Sequence, residues 1–95
     1  MDMPKAIIME EKDNVATLIT SVDKGHQVQV EAGDKKITVQ AQDDIPYGHK
    51  IAFTDIDKGE EVIKYGEVIG RSTAHINTGC HVHVHNIESL NLGNL

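Results

Sequence analysis

The chain has 95 residues, which is enough for one domain and too few for two separate cores. Aromatic residues make up 3 % of it, so the core must consist of Ile, Val, Leu and Ala, and such a thin core favours association with a second copy or a different chain. The net charge of −6 would repel a nucleic-acid backbone, and no apolar run of ~20 residues is present to span a membrane. The N-terminus has no basic segment followed by an apolar stretch, and Cys80 is the single cysteine, so we expect a cytoplasmic protein without an internal disulfide.

Short runs of alternating or apolar residues predict β-strands along most of the chain. These runs lie at 5–9, 15–20, 26–32, 36–42, 51–56, 62–65, 68–76 and 81–87. The dipeptide Gly33-Asp34 predicts the turn of a hairpin between the third and fourth runs. No window has the apolar period of a helix, so at most one short helical turn is expected. The sequence therefore predicts an all-β domain over residues 1–88, built as a small barrel or folded sheet, and a flexible tail at 89–95.

One turn pattern is repeated along the chain: Ile or Val, then Gly three positions later, then Ile or Val three positions after that. The segments with this pattern are 21–28, 44–51, 55–62 and 75–82. Each is typical of a strand end, a polar turn and the start of the next strand. Glycine is expected there at positive φ, which it adopts at little cost. The uneven spacing of these glycines argues against a solenoid array.

The histidines near the C-terminus form the strongest candidate for chemistry. His81, His83 and His85 alternate with Val82 and Val84, so a strand would place the three imidazoles on one face and the valines in the core. Neighbours on that face would lie ~6.6 Å apart. An adjacent pair can then bind one metal ion at ~2.0–2.1 Å, with carboxylates or substrate completing the coordination. A solvated polar face is the alternative interpretation.

The preceding strand and an earlier turn offer further candidates. If the turn at 77–79 folds the strand before it back onto the histidine strand, Arg71 and His75 would lie beside the imidazoles. A guanidinium binds a carboxylate through two parallel hydrogen bonds, although a surface salt bridge is the simpler role for Arg71. His49 follows a glycine turn and is either a catalyst or a turn-end residue. Tyr65 supplies either core bulk or a hydroxyl group.

Several motifs together resemble one family. They are HKIAF at 49–53, DI at 55–56, GE at 59–60, VIKYG at 62–66, IG at 69–70 and HVHN at 83–86. In this order they resemble the N-terminal domain of the altronate and galactarate dehydratase family, and also the separately encoded small subunit of sulfolactate sulfo-lyase. The resemblance covers roughly residues 14–87.

This resemblance implies a SAF-type domain with a β-clip fold, which precedes a much larger catalytic region in the long family members. It implies elimination of water or sulfite from a small hydroxy acid, a divalent metal such as Fe2+, and a large lyase subunit as partner. A homo-oligomer is also compatible, and the chain alone is not expected to be active. The site residues that we predict are His49, Arg71 and His85 for catalysis, Lys64, Tyr65 and Asn86 for substrate binding, and His81, His83 and His85 for the metal.

The chemistry of these residues agrees with that class of reaction. Removing a proton next to a carboxylate builds negative charge on its oxygens, which a metal ion or an arginine stabilises. Histidine can hold the ion or move a proton near neutral pH. Two alternatives stay open: a stand-alone metal- or acid-binding module, and a secreted assembly chaperone or carbohydrate-binding domain. The absence of an export signal weighs against the second alternative.

Overall fold

The computed structural model describes residues 3–89, and it confirms the all-β prediction over that range. Its strands are β1 (Lys5–Ile8), β2 (Val15–Leu18), β3 (Gln27–Ala32), β4 (Lys35–Gln40), β5 (Lys50–Ala52), β6 (Glu61–Lys64), β7 (Glu67–Ser72), β8 (His81–Val82) and β9 (Ile87–Glu88). Residues 3–89 contain no helix, and hence no apolar helix long enough to cross a membrane. The tail predicted at 89–95 lies outside the described residues from position 90 onwards.

The strands form two sheets. The larger has the order β4-β3-β1-β2-β5-β8, and the smaller has the order β6-β7-β9. The predicted hairpin is confirmed as β3 and β4, which are joined at Gly33-Asp34 with Gly33 at φ 61°. The strand β5 lies inside the larger sheet, between β2 and the edge strand β8.

The repeated glycine turns associate in pairs, which explains why the same pattern recurs. In the first pair, Val22 and Ile45 exchange two backbone hydrogen bonds of 2.9 Å. The Gly25 N–H donates to the carbonyl four residues before Ile45, and the Gly48 N–H donates to the carbonyl four residues before Val22. The turn glycine of each segment therefore donates a hydrogen bond to the chain just before the other segment. Because the two segments make the same contacts, they have the same residue pattern.

The second pair repeats this arrangement around Ile56 and Ile76. These residues exchange two backbone hydrogen bonds of 2.8 Å, while Gly59 and Gly79 each donate to the carbonyl four residues before the opposite isoleucine. The four turn glycines have φ between 83° and 93°, which confirms the predicted need for glycine. The turn of Gly79 ends directly before β8, so this pairing fixes where the histidine segment begins.

Two clusters of buried aliphatic side chains form the core, and β5 separates them. Ile51 belongs to the first cluster, with side chains from β1 to β4, whereas Ala52 belongs to the second, with Val62 and Val82. The three residues of β5 are all buried. Since both faces of β5 are packed, the strand is a rigid support for the residues at its ends.

Candidate metal centre

The histidine segment begins as a strand and then turns, so the continuous strand predicted at 81–87 is wrong at residues 83–86. Residues 83–86 form a turn, and Val84 is 61 % exposed rather than part of the core. The Asn86 side chain stabilises this turn: its Nδ2 donates to the His81 carbonyl at 2.8 Å, and its Oδ1 accepts from the His83 N–H at 3.0 Å. An asparagine that binds the backbone in this way competes with strand pairing.

The imidazoles nevertheless meet, because a long-range pairing brings in a histidine from an earlier turn. In the antiparallel pair of β5 and β8, Ile51 lies opposite His81 and Lys50 lies opposite Val82. Continued by one residue, this register places His49 opposite His83. Their rings stack at a centroid distance of 4.2 Å, and the His81 ring lies 5.1 Å from that of His49.

The nitrogen atoms of these three rings converge. His49 Nδ1 lies 2.9 Å from His81 Nε2, and one nitrogen from each of His49, His81 and His83 lies within 4.8 Å of the others. Two nitrogens that bind one ion at right angles with bonds of ~2.1 Å are themselves ~3.0 Å apart. His83 Nδ1 is buried and has no hydrogen-bond partner. The donor set and its spacing therefore fit a borderline divalent cation.

Burial and neighbouring groups favour the neutral form of two of these histidines, His81 and His83. Burial lowers the pKa of His81 to about 4, with the neighbouring His85, His49 and His83 acting in the same direction. Burial also lowers the pKa of His83, and the charges of His49 and Lys50 add to this effect. Neutral imidazole is the form that binds metals, so the lowered pKa values of His81 and His83 favour metal binding.

A family model for the altronate/galactarate dehydratase SAF domain matches residues 4–90. The chain belongs to this family. It is 45 % identical over 83 residues to altronate dehydratase of Escherichia coli, which covers 87 % of this chain and 16 % of that protein. It is also 45 % identical over 56 residues to the alpha subunit of (2R)-sulfolactate sulfo-lyase of Chromohalobacter salexigens, which covers 59 % of this chain and 60 % of that subunit. Galactarate dehydratase of E. coli is 36 % identical over 73 residues, or 77 % of this chain and 13 % of that protein. The SAF domain thus spans about a sixth of the altronate dehydratase that it matches.

His85 lies at the margin of the cluster in this SAF domain. It is exposed on the turn at 83–86, and its ring lies 5.1 Å from that of His81. The structure groups His49 with His81 and His83, whereas the sequence predicted His85 as the third member. The spacing of the histidines at 81–85 could not show that His49 takes the place of His85, since His49 reaches the cluster through the pairing of β5 with β8. A metal or catalytic role for His85 stays a prediction.

The turn at 77–79 does not fold the preceding strand onto the histidine strand, so the pairing that was to place Arg71 and His75 beside the imidazoles is wrong. Arg71 is exposed in β7 of the smaller sheet, where it lies opposite Glu61 and Glu88. The strand β8 pairs with β5 instead, because the paired turns around Gly79 direct the chain into the larger sheet. His75 lies at hydrogen-bond distance from Asp57 and Asn77, at 3.0 and 2.9 Å, and these contacts occupy both of its ring nitrogens.

Tyr65 lies in a two-residue turn rather than in the core. It has φ 52° and is 42 % exposed, and Gly66 follows at φ 80°, so both residues of the turn between β6 and β7 are left-handed. The Lys64 ammonium lies 5.4 Å from the centre of the Tyr65 ring. The substrate-binding roles predicted for Lys64, Tyr65 and Asn86 stay predictions, although the amide group of Asn86 already binds backbone.

Sequence reasoning did not select Lys50, whose side chain lies on the face of β5 opposite the histidine cluster. Its side chain is 8 % exposed, and its ammonium makes no hydrogen bond or ion pair with any of residues 3–89. Burial lowers the pKa of Lys50, and the positive charge of Lys64 lowers it further. One signal could have identified it: alternation places Lys50 on the same face of β5 as Ala52, which belongs to the core.

Proposed function

We propose that this SAF domain is the small component of a hydroxy-acid lyase, and that its histidine cluster holds a divalent metal ion for that enzyme. The reaction class is elimination of water or sulfite from a hydroxy acid, together with a separate large catalytic chain. The names of the relatives support this proposal: two are dehydratases of sugar acids, and one is a subunit of a sulfo-lyase. The small share of the dehydratases that the domain spans supports a larger partner.

The convergence of three imidazoles at one end of β5 and β8 carries the metal part of the proposal. His49 is held by the end of β5, His81 by β8, and His83 by the turn that Asn86 stabilises. When bound, a divalent ion would stabilise the negative charge that builds on a carboxylate as the neighbouring proton is removed. The exposed ring of His85 lies beside the cluster, where it can accept or return a proton.

Calorimetry tests the metal site. We expect the wild-type domain to bind one Zn2+ or, under anaerobic conditions, one Fe2+ per chain, and His49→Ala/His83→Ala to lose this binding. The matched control is His26→Ala, because His26 is an exposed histidine in another turn. Equal heats for the wild type and the double variant would rule out the cluster as the site.

The stand-alone binding module is the alternative, and one observation favours it. All three donor residues come from this chain, so metal binding does not require a partner. Affinity purification of the tagged domain from its native host separates the two functions. We expect a chain of several hundred residues to co-purify and elimination activity to appear only with that chain; recovery of the domain alone would favour the module.

A further inference from the structure

The strand that carries His81 is by itself a weak support for a metal ligand. β8 has two residues, and among residues 3–89 it pairs with β5 alone, at one edge of the larger sheet. Edge strands this short fray easily, because few backbone hydrogen bonds hold them. Donors that bind one ion must nevertheless be held to within about 0.5 Å. Contacts beyond the strand pairing must therefore fix the histidine segment.

Both main-chain groups of His81 bind side chains. Its N–H donates to Asp43 Oδ2 at 2.9 Å, and its carbonyl accepts from Asn86 Nδ2 at 2.8 Å. One residue earlier, the Cys80 carbonyl accepts from the Ala52 N–H of β5. Since neighbouring residues of an antiparallel strand direct their main-chain groups to opposite sides, the groups of His81 face the open edge of β8. Two side chains thus take the place of a further strand at that edge.

The Asn86 side chain also holds the next member of the cluster. Its Oδ1 accepts from the His83 N–H at 3.0 Å, and the His83 carbonyl accepts from the N–H groups of Asn86 and Ile87 at 3.1 and 3.2 Å. One amide group therefore joins the main chains of His81 and His83 and sets the spacing between them. Asp43 fixes the first of these two main chains at a second point.

Asn14 makes the same kind of bridge on β6. Its Nδ2 donates to the Glu61 carbonyl at 2.8 Å, and its Oδ1 accepts from the Ile63 N–H at 2.7 Å, again two residues apart. Asn14 and Asn86 are both half-buried, and β6 contains no histidine. The two bridges should therefore contribute similarly to stability, while only that of Asn86 should affect the cluster.

We propose that Asp43 and Asn86 are positioning residues of the metal centre, which hold His81 and His83 so that their ring nitrogens meet that of His49. The Asp43 carboxylate lies outside the group of converging donors, and the Asn86 amide binds backbone, so both act through the main chain. The metal itself rests on the proposed function, whereas the fixed position of the rings rests on these hydrogen bonds. Residues that orient metal ligands typically change metal affinity about 10- to 100-fold.

Zinc calorimetry on four alanine variants tests the proposal. We expect Asn86→Ala to bind Zn2+ about 10- to 100-fold more weakly than the wild type. Asp43→Ala loses one contact rather than two, so we expect a loss of about three- to tenfold. The matched controls are Asn14→Ala, which removes the equivalent bridge, and Asp44→Ala, which removes a carboxylate that accepts from the Lys24 N–H. Both controls should bind Zn2+ like the wild type.

A conservative variant and the Tm values separate positioning from effects of charge or stability. Asp43→Asn keeps an oxygen acceptor for the His81 N–H without the charge, so we expect it to retain most of the zinc affinity. A loss as large as that of Asp43→Ala would overturn the positioning role of Asp43. We expect Asn86→Ala and Asn14→Ala to lower the Tm by similar amounts. A merely structural Asn86 therefore predicts equal zinc affinity for these two variants, and that result would overturn its positioning role.

NMR of the ring nitrogens in the metal-free chain separates this inference from the proposed function. His49 Nδ1 lies 2.9 Å from His81 Nε2, so the two rings share a hydrogen bond and should show fixed tautomers. We expect Asn86→Ala to average these signals and Asn14→Ala to leave them unchanged. If the wild type does not bind zinc but its ring signals respond in this way, the metal site fails while the positioning stands. If zinc binds the wild type, Asn86→Ala and Asp43→Ala equally well, the positioning fails while the metal site stands.

Discussion

Among residues 3–89, two charged residues are buried, Asp13 and Lys50, and they differ in how their charges are satisfied. Asp13 is 4 % exposed, and its carboxylate accepts hydrogen bonds from the N–H groups of Met9, Glu10 and Gly66 at 2.7–3.1 Å. Lys50 is 8 % exposed and its ammonium has no partner within the described chain. The fold satisfies the Asp13 carboxylate by itself, whereas the Lys50 ammonium is left to water, since the buried side-chain atoms without a partner are Thr17 Oγ1 and His83 Nδ1.

The largest effect is expected for Asp13→Ala. Its carboxylate connects the turn after β1 with the turn between β6 and β7, so its removal leaves several N–H groups without an acceptor. We expect the free energy of unfolding to fall by about 3 kcal/mol, as measured by urea denaturation. Asp34→Ala, at an exposed position of the β3–β4 turn, is the control and should change it by less than about 0.5 kcal/mol. A similar fall in the free energy of unfolding for both variants would show that Asp13 has no special role in stability.

The same carboxylate should make stability depend on pH. Burial raises the pKa of Asp13, but the hydrogen bonds from Gly66, Met9 and Glu10 outweigh it, so the pKa lies below the usual value. The unfolded chain therefore binds the proton more readily than the folded one. This contribution is complete above the unfolded pKa and is lost as pH falls through the folded pKa. We expect a flatter acid limb of the stability profile for Asp13→Asn than for the wild type; parallel limbs would contradict this assignment.

Lys50→Met should show the smallest change, with the opposite sign. Since methionine fills the same space without a charge, we expect the free energy of unfolding to rise by about 1 kcal/mol in urea denaturation. A loss as large as that of Asp13→Ala would mean that Lys50 stabilises the fold, and the contrast between the two buried charges would then disappear.

Local chemistry was enough to predict the strands, the Gly33-Asp34 hairpin and the glycine turns, because each depends on neighbouring residues. The family resemblance was likewise confirmed by the match over residues 4–90. The pairing of β5 with β8 was not predicted, since it joins residues 30 positions apart, such as Ile51 and His81. For the same reason the partnership of His49 with His83 was missed, whereas alternation with Ala52 along β5 was a local signal for the burial of Lys50.

The extent of the histidine strand was missed for a different reason. Alternation of His and Val predicted a strand through His85, but the Asn86 side chain binds the backbone of His81 and His83 and turns the chain. Asparagine forms such contacts readily, so Asn86 was a signal that the strand would end early.

The most direct test of the metal centre is an NMR titration with Zn2+ that follows the ring nitrogens of each histidine. We predict that the nitrogens of His49, His81 and His83 change together and reach their end point at one ion per chain, while those of His26 and His75 stay constant. Changes of equal size at His26 and His75, or none at the three clustered rings, would contradict the account.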